Sequence, residues 1–295
     1  KWDSVVGTFG GDPMGGGNTA AMGLFCLLIM LLKVSEYKHG LTTFKSMALH
    51  IVLGIGLCII GEVKFVILLS PIFLAWVWLS PSYVKDVSKV NLKTLLVISL
   101  SIVILAYYYS TAFGGDPSKS SLSIFIDSLS YIFDPNYIMS TGELGRFTTF
   151  LFWLKNNDLW GLSGTLFGYG LNATNSGSTV SPGFLNIIYN LILDSTSLSM
   201  LLWEVGAIGT LLFISLFIYI LKVCQPKPLL TLEQLDQQDL QLLSFAPAFN
   251  AFAISCLISL PYSQILMITP MLQFLFYLSL GASLVIRRTV LRCVG

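Results

Sequence analysis

The sequence predicts an all-α, multi-spanning membrane protein of about seven membrane segments with one large loop on the outer side. Three observations predict it. Hydrophobic residues make up 55% of the chain and charged residues 11%, with a mean hydropathy of +0.79, whereas a soluble domain is about a quarter charged. The apolar residues gather in runs near the roughly 20-residue length that crosses a bilayer core as a helix. The basic residues collect on alternate connections between those runs.

The runs are 19–33, 46–61, 64–80, 94–113, 199–221, 243–262 and 265–286. Lys33, Lys38 and Lys45 follow the first; Lys85, Lys89 and Lys93 the third; Lys222 and Lys227 the fifth; and Arg287, Arg288 and Arg292 the seventh. Together they are 11 of the 16 basic residues. Basic connections stay in the cytoplasm, so residues 1–18, the Glu62–Lys64 region and 114–198 are predicted to face outward. The chain divides accordingly into segments one to four (1–113), the outer loop (114–198) and segments five to seven (199–295). A net charge of +1 leaves no electrostatic footprint for nucleic acid. The five cysteines are scattered without a CxxC and read as small apolar residues. The chain opens on Lys1-Trp2-Asp3 with no signal peptide, which predicts the C-terminal portion of a longer protein.

The run at 51–79 is too long for one span, and both its flanks are basic connections. It reads as two segments meeting at an outer turn, Gly61-Glu62-Val63-Lys64, with Gly61 suited to a tight turn. Backbone at that depth must be lined by protein or water. Glu62 and Lys64 either neutralise each other or mark a substrate pathway.

The outer loop is too long for a plain connector, and such loops usually carry function. Within 142–160, Leu144, Phe147, Phe150, Leu151 and Leu154 recur at helical spacing, predicting an amphipathic helix on the membrane surface or capping the bundle. GTLFGYGLNATNSGST, 164–179, reads as a flexible loop suited to close backbone approach to a ligand. Residues 186–213 read as a helix leading into segment five, and 225–243 as a short surface helix.

No Walker loop and no HExxH is present, and no strand precedes the glycine-rich 7–18 stretch, so a dinucleotide site is not expected. The two histidines, His39 and His50, both fall at the basic side of the first hairpin, away from the outer loop; no metal is predicted. Arg146 is the only arginine outside the basic connections. It either snorkels at the interface or uses its planar fork to hold phosphate oxygens. The anionic ligand at a membrane surface is a lipid phosphate or diphosphate. Asp194 stands where the loop feeds segment five. Glu204 comes ten residues later, which on one helix would put both carboxylates on one face. Capping, or pairing with a lysine, is the alternative role for each.

The residues now assembled resemble the O-antigen polymerase and O-antigen ligase superfamily of bacterial envelope glycosyltransferases. GTFGGDPMGGGNTAAMGLFCLLIMLL, 7–32, looks like the family's G-T-F-G…N opening. IIGEVKFVILLSPIFLAWV, 59–77, matches the place of its S-R-G turn, with Lys64 near the usual arginine. GRFTTFLFWL and LFGYGLNA, 145–154 and 166–173, resemble its outer-loop arginine helix and G-x-G loop. DSTSLSMLLWEVGAIGTLLF, 194–213, resembles the segment ending in E-x-G-x-x-G. These motifs cover most of residues 1–222.

The resemblance implies a glycosyltransferase of the bacterial inner membrane. Its donor would be a glycan on undecaprenyl diphosphate, with no cofactor and no metal. Arg146 and Lys64 would hold the diphosphate and Asp194 would be the base. Glu62, Glu204 and Tyr169 of the G-x-G loop would be supporting residues. Its partners would be that lipid-linked glycan, membrane lipid and other polysaccharide-assembly proteins, with no nucleic acid. The ligase branch carries a histidine near the start of the segment-five helix. Here Asp194, Ser195 and Thr196 stand instead, which favours a polymerase of O-antigen, capsule or exopolysaccharide type. The alternatives are a ligase, a transporter or flippase of lipid-linked glycans, and an assembly subunit without chemistry. A transporter would be expected to show internal repeats, and none is found.

Overall fold

The computed structural model describes residues 19–61, 63–85, 100, 132–177, 180–231 and 235–294. Among them are twelve α-helices and no strand, only isolated bridges. They are α1 (Thr19–Lys38), α2 (Phe44–Ile60), α3 (Lys64–Leu79), α4 (Arg146–Asn156), α5 (Leu162–Phe167), α6 (Phe184–Tyr189), α7 (Ser197–Glu204), α8 (Gly206–Val223), α9 (Gln237–Ser244), α10 (Ala246–Ser259), α11 (Ile265–Ile268) and α12 (Pro270–Val294). Four stretches are long and apolar enough to cross a membrane: Thr19–Lys38, Gly206–Val223, Gln237–Ser259 and Pro270–Arg292. α2 and α3 are equally apolar but shorter. The predicted segment 94–113, apart from Leu100, lies outside the described residues, as do the 7–18 motif, Glu62 and the loop up to 131.

The chain forms two compact units: Lys1–Ala112 with Ile220–Cys256 and Met271–Gly295, and Phe113–Tyr219 with Leu257–Pro270. In the first, α1 is the buried centre, and α2 and α3 pack against it. The predicted turn is real. Gly61 caps α2, Val63 N–H donates to the Cys58 carbonyl at 2.9 Å, and α3 starts at Lys64. The glycine is needed for space rather than for backbone freedom. Its φ is −84°, yet a Cβ there would meet Thr19 Cγ2 at 2.8 Å.

Polarity in this unit runs inside out. Leu49, Val52, Leu53, Leu57 and Ile60 of α2, and Leu68, Ile72, Trp76 and Leu79 of α3, are exposed. Ser35, Ser70, Ser255, Ser279 and Ser283 are buried. Such a surface suits lipid, where buried hydroxyls satisfy the backbone and one another. Pro71 illustrates it. Its missing N–H leaves the Ile67 carbonyl free, and the Ser70 hydroxyl donates to that carbonyl at 3.3 Å. Lys38 Nζ donates to the carbonyls of Val77 and Ser80, placing a cation at the C-terminal end of α3, where the helix dipole favours one.

The second unit is built on aromatics. Trp203 is fully buried, with the ring centroids of Tyr169 and Tyr189 each 5.7 Å away and that of Phe152 at 6.3 Å. Leu144, Leu185 and Leu193 complete this core.

Three predicted elements differ from the structure. Residues 186–213 are not one helix: α6 ends at Asn190 with φ 52°, an extended stretch follows, and α7 and α8 are separated at Val205–Gly206. The predicted surface helix 225–243 is, in its described part, helical only from Gln237. In 142–160 the helix is the shorter α4, Arg146–Asn156. Thr148, Thr149 and Trp153 are buried, while Phe147 and Leu154 point outward.

Candidate functional site

Arg146 opens α4 immediately after Gly145. Its Nη1 donates to Glu143 Oε1 at 3.3 Å and to the carbonyl of Ser195. The guanidinium carbon lies 5.9 Å from the centroid of the Tyr262 ring, within cation–π range. Among the described residues its hydrogen bonds use Nη1 alone. A guanidinium has five donors, so the fork keeps capacity for an anion.

The side chain is 22% exposed and lines a cavity of about 280 Å³. Phe147, Phe150, Leu198, Pro261 and Tyr262 make its walls apolar, and Thr196 and Ser199 add hydroxyl-bearing residues. The wall from α7 is fixed to α4 by hydroxyls. Ser199 Oγ donates to the Leu193 carbonyl at 2.7 Å and stands 3.0 Å from Thr149 Oγ1. Thr196 Oγ1 caps α7 by accepting from Ser199 N–H at 3.1 Å. The strand-like entry to α7 is held by Ser197 N–H and Oγ, both donating to the Ser263 carbonyl. An arginine thus lines an apolar hollow, an arrangement for an anion with a hydrophobic body.

Asp194 sits beside the carbonyl that Arg146 grips, and it is 5% exposed. Its Oδ2 accepts from Ser176 N–H at 3.0 Å and from Ser176 Oγ at 2.6 Å. Its Oδ1, like the Ser195 hydroxyl, is buried with no hydrogen-bond partner among the described residues. Buried polar atoms are nearly always paired, so two orphans in consecutive residues mark this point of the chain.

Glu204 does not share a helix face with Asp194, because Asp194 precedes α7. Its Oε1 accepts from Thr174 Oγ1 at 2.8 Å and Thr174 N–H at 3.3 Å. Tyr169 is a core residue: its hydroxyl donates to the Asn157 carbonyl at 2.6 Å and its N–H to the Trp203 carbonyl at 2.8 Å. The G-x-G stretch is packed rather than open. Gly168 has φ 77° and Gly206 φ 72°, and a Cβ on Gly206 would stand 2.4 Å from Gly168 N.

Arg146 and the Asp194–Ser195 pair are brought together; Glu204 and Tyr169 instead hold the loop and core. Lys64 belongs to the first unit, half-buried at the first position of α3, and Glu62 lies outside the described residues. Glu143, Ser176 and Tyr262 were not singled out from sequence. Glu143 is three residues before Arg146, the one local signal that could have found it. The histidines serve structure. His39 Nδ1–H donates to the Ser35 carbonyl at 2.7 Å, so in the neutral ring Nε2 accepts from Ser82 Oγ at 2.6 Å. No protein-family model, curated protein or solved structure matches the chain.

Proposed function

We propose that the chain is a membrane glycosyltransferase that polymerises lipid-linked glycan repeat units, with Arg146 holding the diphosphate of the donor. The carrying observation is the partly buried guanidinium that lines an apolar cavity of about 280 Å³. A polyprenyl diphosphate has the same two-part chemistry: a doubly ionisable head for a planar fork and a hydrocarbon body for the walls.

In the reaction the acceptor hydroxyl oxygen bonds to the anomeric carbon of the donor sugar. The bond from that carbon to the diphosphate oxygen breaks, and the electron pair leaves with the lipid diphosphate. Arg146 stabilises the charge that grows there, the kind of fixed electrostatic help that is usually the largest catalytic contribution. The acceptor proton passes to a carboxylate, for which Asp194 is the choice because one of its oxygens is unpartnered. Asp194, Ser195 and Thr196, standing where the ligase branch carries a histidine, support the polymerase form of this reading.

The test uses the full chain in liposomes with undecaprenyl-diphosphate oligosaccharide, read as a product ladder. Arg146→Ala is expected to abolish the ladder. A ladder of unchanged length and yield with Arg146→Ala overturns the reading.

A further inference from the structure

In the first unit, at the C-terminal ends of α8 and α12, a separate cavity of about 290 Å³ is lined by three cations, Lys222, Lys227 and Arg287. Among the described residues no acidic side chain lines it, and its apolar wall includes Leu229, Val290 and Leu291. Among the described residues, ion pairs form at Lys33–Glu36 and Arg146–Glu143, and none reaches these three cations. Like charges gathered around one hollow repel one another, an arrangement that a bound anion relieves.

The frame of this cavity is built. Tyr83 hydroxyl donates to the Cys224 carbonyl at 3.1 Å. Leu229 and Leu230 N–H donate to the Tyr83 carbonyl at 2.9 and 3.0 Å, and Lys85 N–H donates to the Leu230 carbonyl at 2.7 Å. The Cys224 carbonyl also accepts from Asn250 Nδ2 at 3.1 Å, and the Ser283 hydroxyl donates to Asn250 Oδ1 at 3.1 Å. Burial pushes the Tyr83 hydroxyl up to about 12, so no phenolate competes for the cations.

Position decides the ligand. Lys222 lies in the last turn of α8, and Arg287 near the end of α12. Both helices are long and apolar enough to span, so these ends reach headgroup depth, where basic residues concentrate. Tyr277, Leu284 and Leu291 recur every seven residues on α12 and are all exposed, an apolar stripe running from the cavity along the helix. We propose that this cavity binds the phosphate of an anionic phospholipid, with Arg287 as a planar fork, Lys222 and Lys227 as point charges, and the acyl chain laid along the Tyr277–Leu284–Leu291 stripe. Basic pockets between spanning helices are sites for such headgroups.

The test is native mass spectrometry of the full chain in detergent, equilibrated with dioleoyl phosphatidylglycerol or dioleoyl phosphatidylcholine. A parallel arm adds inorganic phosphate and follows the unfolding temperature. One phosphatidylglycerol per chain is expected to be retained in preference to phosphatidylcholine. The Lys222→Gln/Lys227→Gln/Arg287→Gln variant is expected to retain about tenfold less, while Lys45→Gln/Lys155→Gln behaves as the parent. Should the triple variant fail to fold, Arg287→Gln alone is read, with a loss of a few-fold expected. Retention unchanged by these substitutions, or equal for the two lipids, overturns the site. Inorganic phosphate that displaces the lipid and raises the unfolding temperature as much overturns the lipid assignment.

Discussion

Asp194 and Glu204 hold the same loop from two positions: Glu204 Oε1 accepts the N–H and hydroxyl of Thr174, and Asp194 Oδ2 accepts the N–H and hydroxyl of Ser176. Between these anchors Gly183 N–H donates to the Asn175 carbonyl at 2.8 Å, and Asn186 Nδ2 donates to the Thr174 carbonyl at 2.8 Å. Both carboxylates therefore have a structural task, whatever else Asp194 does.

The clamp predicts an unequal pair of substitutions. Glu204→Ala leaves the buried Thr174 without its acceptor and is expected to cost about 1–3 kcal/mol, with faster hydrogen exchange at 172–177. Asp194→Asn keeps an acceptor for Ser176 and is expected to hold the loop while lowering transfer about 10²–10⁴-fold, the range for a lost general base. Exchange at 172–177 and ladder yield, measured on both variants, separate the roles. Full activity in Asp194→Asn would remove it as the base.

The contact between Gly168 and Gly206 predicts a graded glycine series. Gly206→Ala meets both a positive φ of 72° and atoms at 2.4 Å. It is expected to lose the upper end of the 1–3 kcal/mol assigned to strained backbone or to misfold. Gly170→Ala has a positive φ of 96° but open space within 4 Å, and is expected to cost only about 1 kcal/mol. Unfolding midpoints in detergent order the two; equal losses would mean that the close approach is unimportant.

What the residues reveal locally was legible, and what depends on distant contacts was not. The turn at Gly61 follows from a run too long for one span between two basic flanks. The break before Gly206 does not, because nothing local in LLWEVGAIGTLLF, 201–213, stops a helix, and the interruption lies where Gly206 packs against Gly168. Spacing alone made Asp194 and Glu204 helix-mates, an inference that fails with the break. In α4 the helical period was visible but its facing was not. Thr148 and Thr149 find their partners inside, at the Asp134 carbonyl and at Ser199, while Phe147 and Leu154 turn outward. Arg146 stood out through its isolation in the charge pattern; its neighbours Tyr262 and Ser195 are brought to it only by the fold.

His39 predicts a pH dependence of stability. Burial, with the nearby charge of Lys38 adding to it and the Ser35 carbonyl opposing, pushes its ring down to about 4, against about 6.5 unfolded. On acidification the unfolded chain takes up this proton first. The contribution is full above about pH 6.5 and is lost progressively as pH falls toward 4, a total of about 3 kcal/mol. Thermal unfolding followed across that window should show the loss, and His39→Gln should flatten it. An unchanged slope in His39→Gln would assign the effect to other groups.

Arg146 predicts opposite outcomes for two neighbouring substitutions. Arg146→Lys keeps one positive charge but loses the planar fork, whose donors other than Nη1 make no hydrogen bond among the described residues. Removing one preorganised donor from a developing anion costs about 10²–10³-fold in rate, so ladder yield is expected to fall steeply while the unfolding midpoint shifts little. Glu143→Gln removes the carboxylate that competes with a diphosphate for the same guanidinium. The pair is part-exposed, with side chains 22% and 28% accessible, and such pairs are worth about 1 kcal/mol or less. Diphosphate should therefore bind a few-fold more tightly to Glu143→Gln, read as inhibition of the ladder by inorganic pyrophosphate. A merely structural Arg146–Glu143 pair would give the reverse pattern: both substitutions would lower the unfolding midpoint together, and neither would change the response to pyrophosphate.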